Sequence, residues 1–241
     1  MNLYEKYHGS IKLQKRVISE NDFTYRNTLS YIKKYIPKKG NVLDIGSATG
    51  TIAFFFANKG LKVDGIELSK NAVKFANLNN KKFGFKNIKF YNTSIESFKL
   101  NKKYDLITCF EVLEHVEEDL KMLKKTSKCM HKNSILVVTV PSLNAPLYKM
   151  GYLDNFDLEV GHLRRYTLEN LRRIFKLSGL KIISEHKSEG IFRSFLFTNK
   201  ILGKLVIFTR FKIINSLFTY IDKISLKMFG ESQFIIISTK K

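Results

Sequence analysis

Apolar positions along this chain follow two periods in turn, and the switching between them sets out the elements. From Asn21 to Ile36, Tyr25, Leu29 and Ile32 recur at helical spacing, which predicts an amphipathic helix ended by Pro37, Gly40 and the lysines between them. Val42-Leu43-Asp44-Ile45 is a short apolar run that reads as a buried strand. A glycine-containing turn follows, then a helix with Ile52, Phe55 and Phe56 on one face and Gly60 placed at its end. Leu61 to Ile66 is the next strand, and Ser69 is placed to cap a helix whose Ala72, Phe75 and Ala76 face inward. Strands are expected at Ile88–Tyr91, Tyr104–Cys109 and Ile135–Val140, with a helix from about Glu117 to Cys129 before the last of these. Thr167 begins a helix carrying Leu168, Leu171, Ile174 and Phe175, and Gly179 ends it. Leu180–Ser184 and Phe234–Ile237 complete the set of strands.

Strands alternating with helices mean βαβ units, hence a parallel sheet with helices on both faces. The α/β class follows, with seven strands, mostly parallel, and an apolar and basic insertion from Ile191 to Phe229 before the last strand. The chain has 241 residues, 44% of them hydrophobic, enough for one good core. No Pro- or Gly-rich linker and no repeat argues for a second domain, so one domain over 1–241 is expected.

Two cysteines, Cys109 and Cys129, exclude a disulfide framework and point to a reduced, cytoplasmic compartment. The first residues, MNLYEKYHGSIKLQKR, lack the apolar centre of a signal peptide. No run reaches the roughly 18 apolar residues of a membrane span, so any membrane contact is expected at the surface, on the inner face. The net charge of +21 fits a polyanionic partner, or merely a lysine-rich coding bias, since the lysines are spread along the whole chain.

The segment Val42-Leu43-Asp44-Ile45-Gly46-Ser47-Ala48-Thr49-Gly50 joins the first strand to the first helix of the sheet. In an open α/β sheet, ligands bind at this crossover, where small residues let the backbone come close and a helix N-terminus offers free N–H groups. The dinucleotide pattern G-x-G-x-x-G fails, because Ala48 and Thr51 stand where its second and third glycines would be. Asp44 would repel a pyrophosphate and suits a ligand carrying an ammonium and a sulfonium.

With these residues the chain resembles the class I S-adenosylmethionine-dependent methyltransferases, whose fold is Rossmann-like. Asp44-Ile45-Gly46-Ser47-Ala48-Thr49-Gly50 matches their first motif, with Ala48 where glycine is usual. The resemblance extends from about Val42 to Thr239 through four ordered motifs. It implies S-adenosylmethionine as cofactor, with Glu67 on the ribose hydroxyls, a role that two carboxylate oxygens can fill. Ser94, in Asn92-Thr93-Ser94-Ile95-Glu96, stands where the family usually has an Asp for the adenine amino group. Asp44, Gly46, Ser47, Ala48, Gly50, Glu67, Leu68, Ser94, Ile95 and Phe110 are the expected cofactor residues.

Methyl transfer needs alignment and often one proton removed, so no elaborate catalytic constellation is expected. Three histidines are candidates. His8 lies in a segment that covers the site in many relatives. His115 follows the fourth strand in Glu111-Val112-Leu113-Glu114-His115-Val116, as base or as an ordering group. Glu111, Glu114 and His115 form the E-x-x-E-H triplet linked to a divalent metal in quinone-forming O-methyltransferases, which this chain resembles here. The pattern also occurs across the family without metal, and no metal is expected.

His162 lies in Gly161-His162-Leu163-Arg164-Arg165-Tyr166-Thr167, which resembles a motif of methyltransferases acting on sugars, lipids or other envelope precursors. Residues 141–166 are expected to hang over the acceptor side as a long loop, with 1–40 as an N-terminal helical cap. His162 and Tyr166 would contact or deprotonate the acceptor, and Arg164 and Arg165 would hold an anion. Alternatively the motif anchors the loop through Asp154 or Asp157.

The insertion carries Arg193, Lys200, Lys204, Arg210, Lys212, Lys223 and Lys227 against one acid, Asp222, and seven of the chain's 20 Phe. Apolar residues interleaved with cations suit an anionic lipid surface, and equally a cap or a homodimer contact. The expected activity is methyl transfer to a small-molecule or lipid- or sugar-linked acceptor, at oxygen. An RNA methyltransferase is the second enzyme reading. It is disfavoured because Phe110-Glu111-Val112-Leu113 stands where amino-directed nucleic-acid enzymes carry Asn/Asp-Pro-Pro-Tyr. A cofactor-binding subunit without turnover is the third.

Overall fold

The computed structural model describes residues 13–99, 102–199 and 201–241; His8 lies outside them. In chain order the elements are α1 (Arg26–Ile32), β1 (Asn41–Ile45), α2 (Thr51–Asn58), β2 (Lys62–Glu67), α3 (Lys70–Phe83), β3 (Ile88–Asn92), β4 (Tyr104–Phe110), α4 (Asp119–Lys128), β5 (Met130–Pro141), α5 (Pro146–Lys149), α6 (Asp154–Val160), α7 (Leu168–Leu177), β6 (Leu180–Ser188), α8 (Ile191–Thr198), α9 (Lys212–Phe229) and β7 (Gln233–Lys240). Short 3-10 turns occupy Lys33–Tyr35, Leu113–His115 and Leu202–Arg210.

The strands form one sheet in the order β3-β2-β1-β4-β5-β7-β6. The first five strands pair in parallel, and β7 enters antiparallel between β5 and β6. Successive strand residues go to opposite faces. Leu43, Ile107, Val138 and Ile236 join Leu123 of α4 and Phe175 of α7 in one core. Val42, Leu106, Val137 and Ile235 join Leu29 of α1 and Phe56 of α2 in the other. Burial on both faces is why these strands read as continuous apolar runs rather than alternating ones.

Strand order reverses between β1 and β4, which opens a crevice beyond their carboxyl ends. The helices entering it are capped as expected: Ser69 Oγ accepts the Ala72 amide at 3.1 Å, and Thr167 Oγ1 accepts that of Asn170 at 3.2 Å.

Three expectations change. The first helix is shorter than Asn21–Ile36, because residues 19–25 wind around Asp22, whose carboxylate accepts the Ser19 amide and whose carbonyl accepts those of Tyr25 and Arg26. The stretch 141–166 is not loop throughout but contains α5 and α6. Strands β5 and β6 run longer than expected: β5 begins where Met130 pairs with Tyr104 of β4, and β6 pairs with β7 as far as Ser188, across an irregularity between Ile182 and Ser184.

Candidate active site

The turn after β1 is held by its neighbour. Gly46 and Ser47 both donate their amides to the Ile66 carbonyl, at 2.9 and 3.0 Å. Gly46 has φ 71°, and a Cβ there would lie 2.2 Å from Val112 Cγ2, so both conformation and space demand glycine. Ala48 has φ 45°, the left-handed region the family's glycine would occupy without strain.

Glu67, at the end of β2, is buried and fixed by two backbone donors. The Ala48 amide bonds Oε2 at 2.9 Å and the Ser69 amide bonds Oε1 at 2.8 Å. Each oxygen keeps a second lone pair for a ligand hydroxyl. Gly46, Glu67, Leu68, Ser94 and Ile95 line a cavity of 340 Å³ whose other walls include Ile66, Val112, His115, Val116 and Met122. The fixed Glu67 carboxylate beside the aliphatic Ile45, Ile66, Ile95, Val112 and Met122 suits the hydroxyls and base of a nucleoside, while Glu96, Glu117 and Glu118 line the exposed part of the same cavity. Ala48 and Phe110 line an adjoining cavity of 290 Å³.

Asp44, Ser47 and Gly50 lie behind these walls rather than on them. Asp44 accepts the Thr108 hydroxyl at 2.7 Å and joins β1 to β4. Burial pushes its carboxyl up to about 7, with the charge of Glu67 adding and the Thr108 hydroxyl opposing.

The 290 Å³ cavity shares Gly46, Glu67, Val112 and His115 with the first, and Phe110, Glu111, Phe156 and His162 with a third of 390 Å³. The three form one passage from the Glu67 side to a chamber under α6 and α8, lined also by Tyr25, Arg165, Glu189 and Gln233. A larger groove of 1030 Å³ runs along the β3 edge, lined by lysines such as Lys62 and Lys89, and meets the first cavity only at Thr93. Among the described residues, three non-glycines have positive φ: Ala48, Glu111 (52°) and Glu189 (56°). All three line the passage, and strained backbone gathers at functional sites.

Titratable groups concentrate at the middle of the passage. His162 is nearly buried; its Nδ1 lies 2.8 Å from Asp157 Oδ1, and its Nε2 lies 3.7 Å from Glu114 Oε1. The carboxylate makes Nδ1 the protonated nitrogen and leaves Nε2 as a base, an Asp–His arrangement. His115 Nδ1 faces the Gly161 carbonyl at 3.0 Å, and the two imidazole centroids are 4.9 Å apart. Burial would raise the Asp157 carboxyl, but hydrogen bonds from His162 and Arg165 hold it below its ordinary range.

Glu114 is wholly buried, and neither of its oxygens accepts a hydrogen bond among the described residues. Burial, then the charge of Glu111, drives its carboxyl well up. Glu111 faces the passage but is ringed by protein. Burial raises it as well, against the Thr139 hydroxyl, which it accepts at 2.7 Å, and the charges of His162 and Arg165.

The two arginines separate. Arg165 is buried and bidentate on Asp157, with Nε and Nη2 each 2.6 Å from an oxygen, and its guanidinium lies over Tyr148. Arg164 bonds Asp119 and the Glu117 carbonyl, behind the wall of the first cavity, and does not itself line it. Tyr166 is buried too, its hydroxyl between the Leu113 carbonyl and Asp119, and burial drives its ionisation far above the ordinary range. Its contacts order the turn after β4 rather than line a cavity.

Glu114, His115 and His162 bring one ligand atom each within 4.8 Å of one another, a donor set that fits a divalent ion, as does the orphaned Glu114 carboxyl. The third member is His162 rather than Glu111, whose Oε1 is taken up by Thr139 and Gln233. Sequence reasoning missed Glu189 and Gln233, which carry no motif and reach the passage only through β6 and β7.

A family described as a methyltransferase domain matches residues 19–185. The ubiquinone biosynthesis O-methyltransferase of Rickettsia canadensis is 30% identical over 115 residues, which are 48% of this chain and 48% of that protein. The chain spans about half the length of such curated relatives.

Among solved structures, coclaurine N-methyltransferase bound to N-methylheliamine and SAH has a TM-score of 0.67 at 14% identity, covering 95% of this chain and 76% of that one. Phosphoethanolamine N-methyltransferase 2 of Haemonchus contortus, in complex with S-adenosyl-L-methionine, has a TM-score of 0.65 at 16% identity, covering 90% and 52%. At these identities the structures speak for the fold. With the matched family, the sheet order and a cavity beside the fixed Glu67 in agreement, the chain belongs to the class I S-adenosylmethionine-dependent methyltransferases.

Proposed function

We propose that this protein transfers the methyl group of S-adenosylmethionine to a hydroxyl of a small molecule, with His162 as the base. The observation that carries the reading is the passage itself. The cavity beside Glu67 adjoins, past His115 and His162, a second chamber rich in hydroxyls and carboxyls. The cofactor supplies a methyl group on a good leaving group, so the protein must only orient the acceptor, exclude water and take a proton. Glu67 and the 46–48 turn hold the cofactor. Asp157 orients His162 through Nδ1, so that Nε2 faces the passage and accepts the acceptor proton. Arg165, spent on Asp157, positions that pair rather than binding an anion. Should a divalent ion bind, Glu114, His115 and His162 would hold it; His162 Nε2 would then be a ligand instead of the base, and the ion would lower the pKa of a bound hydroxyl.

The acceptor is proposed to be lipid- or sugar-linked, met on the inner face of an anionic membrane by a cytoplasmic protein. Incubation with methyl-labelled cofactor and a panel of phenolic, catechol and sugar hydroxyls tests the reaction. A one-methyl mass gain at oxygen is expected, and its loss in His162→Ala. Cofactor binding without transfer to any hydroxyl, or transfer only to nitrogen or RNA, overturns it.

A further inference from the structure

Helix α9 is inside out. Its buried residues are polar: Asn215, Thr219, Asp222 and Ser225. They are used, since Asn215 donates to the Asn21 carbonyl at 2.8 Å and Asp222 accepts the amides of Gly190 and Arg193 at 3.0 Å. Asp222 also pairs with the buried Arg193 at 3.2 Å, and that guanidinium lies over Phe23 and donates to its carbonyl. Gly190 lets α9 come this close, because a Cβ there would meet Ser225 Oγ at 2.1 Å. The polar face is therefore locked inward by specific bonds.

The opposite face is apolar and open. Ile213, Leu217, Tyr220, Ile224 and Met228 recur at steps of three and four residues, and Ile213, Tyr220 and Met228 are 84%, 64% and 67% exposed. Ile201, Ile207, Phe208 and Phe211 extend the exposed surface through the preceding 3-10 turn. A soluble monomer rarely leaves so long a stripe uncovered.

Its border shows what covers it. Lys212, Lys223 and Lys227 are exposed on α9, and the insertion's one acid, Asp222, is buried. At the N-terminal end of the helix a pocket of 220 Å³ is lined by Arg16, Arg26, Arg210 and Lys212, with Asp22 already paired to Arg16. A second copy laid on this face would set lysine against lysine with no exposed acid on the insertion to answer them. An anionic lipid surface answers all of them. It buries the stripe, leaves the lysine heads at phosphates and offers headgroups to the pocket. No helix among the described residues is long and apolar enough to cross a membrane, so contact is in the plane of the surface.

We propose that this face of α9 and the 3-10 turn before it docks on an anionic bilayer. The lipid-linked acceptor reading gives docking its purpose, but docking is measured without turnover, so either can fail alone. The full chain is sedimented with vesicles of phosphatidylglycerol and phosphatidylcholine, and with phosphatidylcholine alone. Binding to the anionic vesicles only, weakened by salt, is expected. Lys212→Gln/Lys223→Gln/Lys227→Gln should weaken it about a hundredfold. Ile213→Ser/Leu217→Ser/Met228→Ser should weaken it at least about tenfold. Both variants should keep their affinity for S-adenosylhomocysteine, which shows that they fold. If the serine variant fails that control, the lysine variant and the salt series still decide. Equal recovery in the supernatant with both lipids, or binding indifferent to the lysine variant and to salt, overturns the proposal. So does a dimer in sedimentation velocity that the serine variant abolishes while vesicles bind nothing.

Discussion

The two ends of the passage are built differently. At the cofactor end the fixing groups come from two adjacent parallel strands and the turns that follow them: Glu67 is held by the amides of Ala48 and Ser69, and the 46–47 turn by the Ile66 carbonyl. Backbone donors do the positioning of Glu67, and aliphatic side chains make up half of the remaining wall. At the far end the groups come from α1 and the turn before it, β4, β5, α6, the 162–165 segment, Glu189 just after β6, α8 and β7. Side chains position side chains there, as in Asp157 with His162 and Arg165, or Thr139 and Gln233 with Glu111. A backbone-built site tolerates sequence change outside a few glycines and one acid. A site built from side chains changes with each of them, which suits the end that must differ between acceptors.

The largest effect is expected at the junction of the two ends. His162→Ala should lower turnover on an identified acceptor by about 10²–10⁴-fold, as loss of a general base does, while cofactor affinity by titration calorimetry stays within about twofold. A matched loss of cofactor binding would erase the distinction between the ends. Asp157→Ala strands the buried Arg165 and should cost about 3 kcal/mol of stability in urea unfolding. A cost within 0.5 kcal/mol or so would show that the pair is dispensable.

Glu67→Ala removes a charged hydrogen-bond acceptor and should weaken S-adenosylmethionine binding by about 1.5–3 kcal/mol in calorimetry, with the fold intact. Unchanged affinity would remove the cofactor reading from this carboxylate.

The smallest effect concerns Glu189. Burial pushes its carboxyl from 4.5 to about 8, against the charge of Arg193. The folded chain then holds a proton that the unfolded chain gives up, so the contribution is full below about 4.5 and is lost as pH rises to about 8. Between pH 5 and pH 8 the wild type should lose at least about 1 kcal/mol relative to Glu189→Gln. Parallel pH profiles of the two in thermal unfolding would show that the acceptor chamber leaves this carboxyl unperturbed.

Much of this protein was legible because its signals are local. Buried parallel strands show as apolar runs, Ser69 and Thr167 cap the helices they precede, and Gly46 and Glu67 sit at fixed distances from strand ends. The turn after β1 and the end of β2 are adjacent in any such sheet, so sequence spacing sufficed to bring Gly46, Glu67, Leu68, Ser94 and Ile95 to one cavity. The same reasoning put Asp44 and Tyr166 at the site by type and proximity. Their hydrogen bonds, to Thr108 in one case and to Leu113 and Asp119 in the other, turn them inward.

By itself, then, the sequence determined the sheet, its helices, the cofactor turn and the presence of an apolar, basic insertion, because each rests on periods and caps a few residues long. Only the tertiary structure decided that His162 meets Asp157 and Glu114, that Glu189 and Gln233 reach the chamber under α6 and α8, and that α9 turns its polar face inward. Periodicity defines a stripe on a helix but not the direction it faces. For α9 that direction is set by Asp222, Arg193 and Gly190, whose mutual contacts span up to 32 residues of chain and exist only once the insertion has folded back onto the sheet.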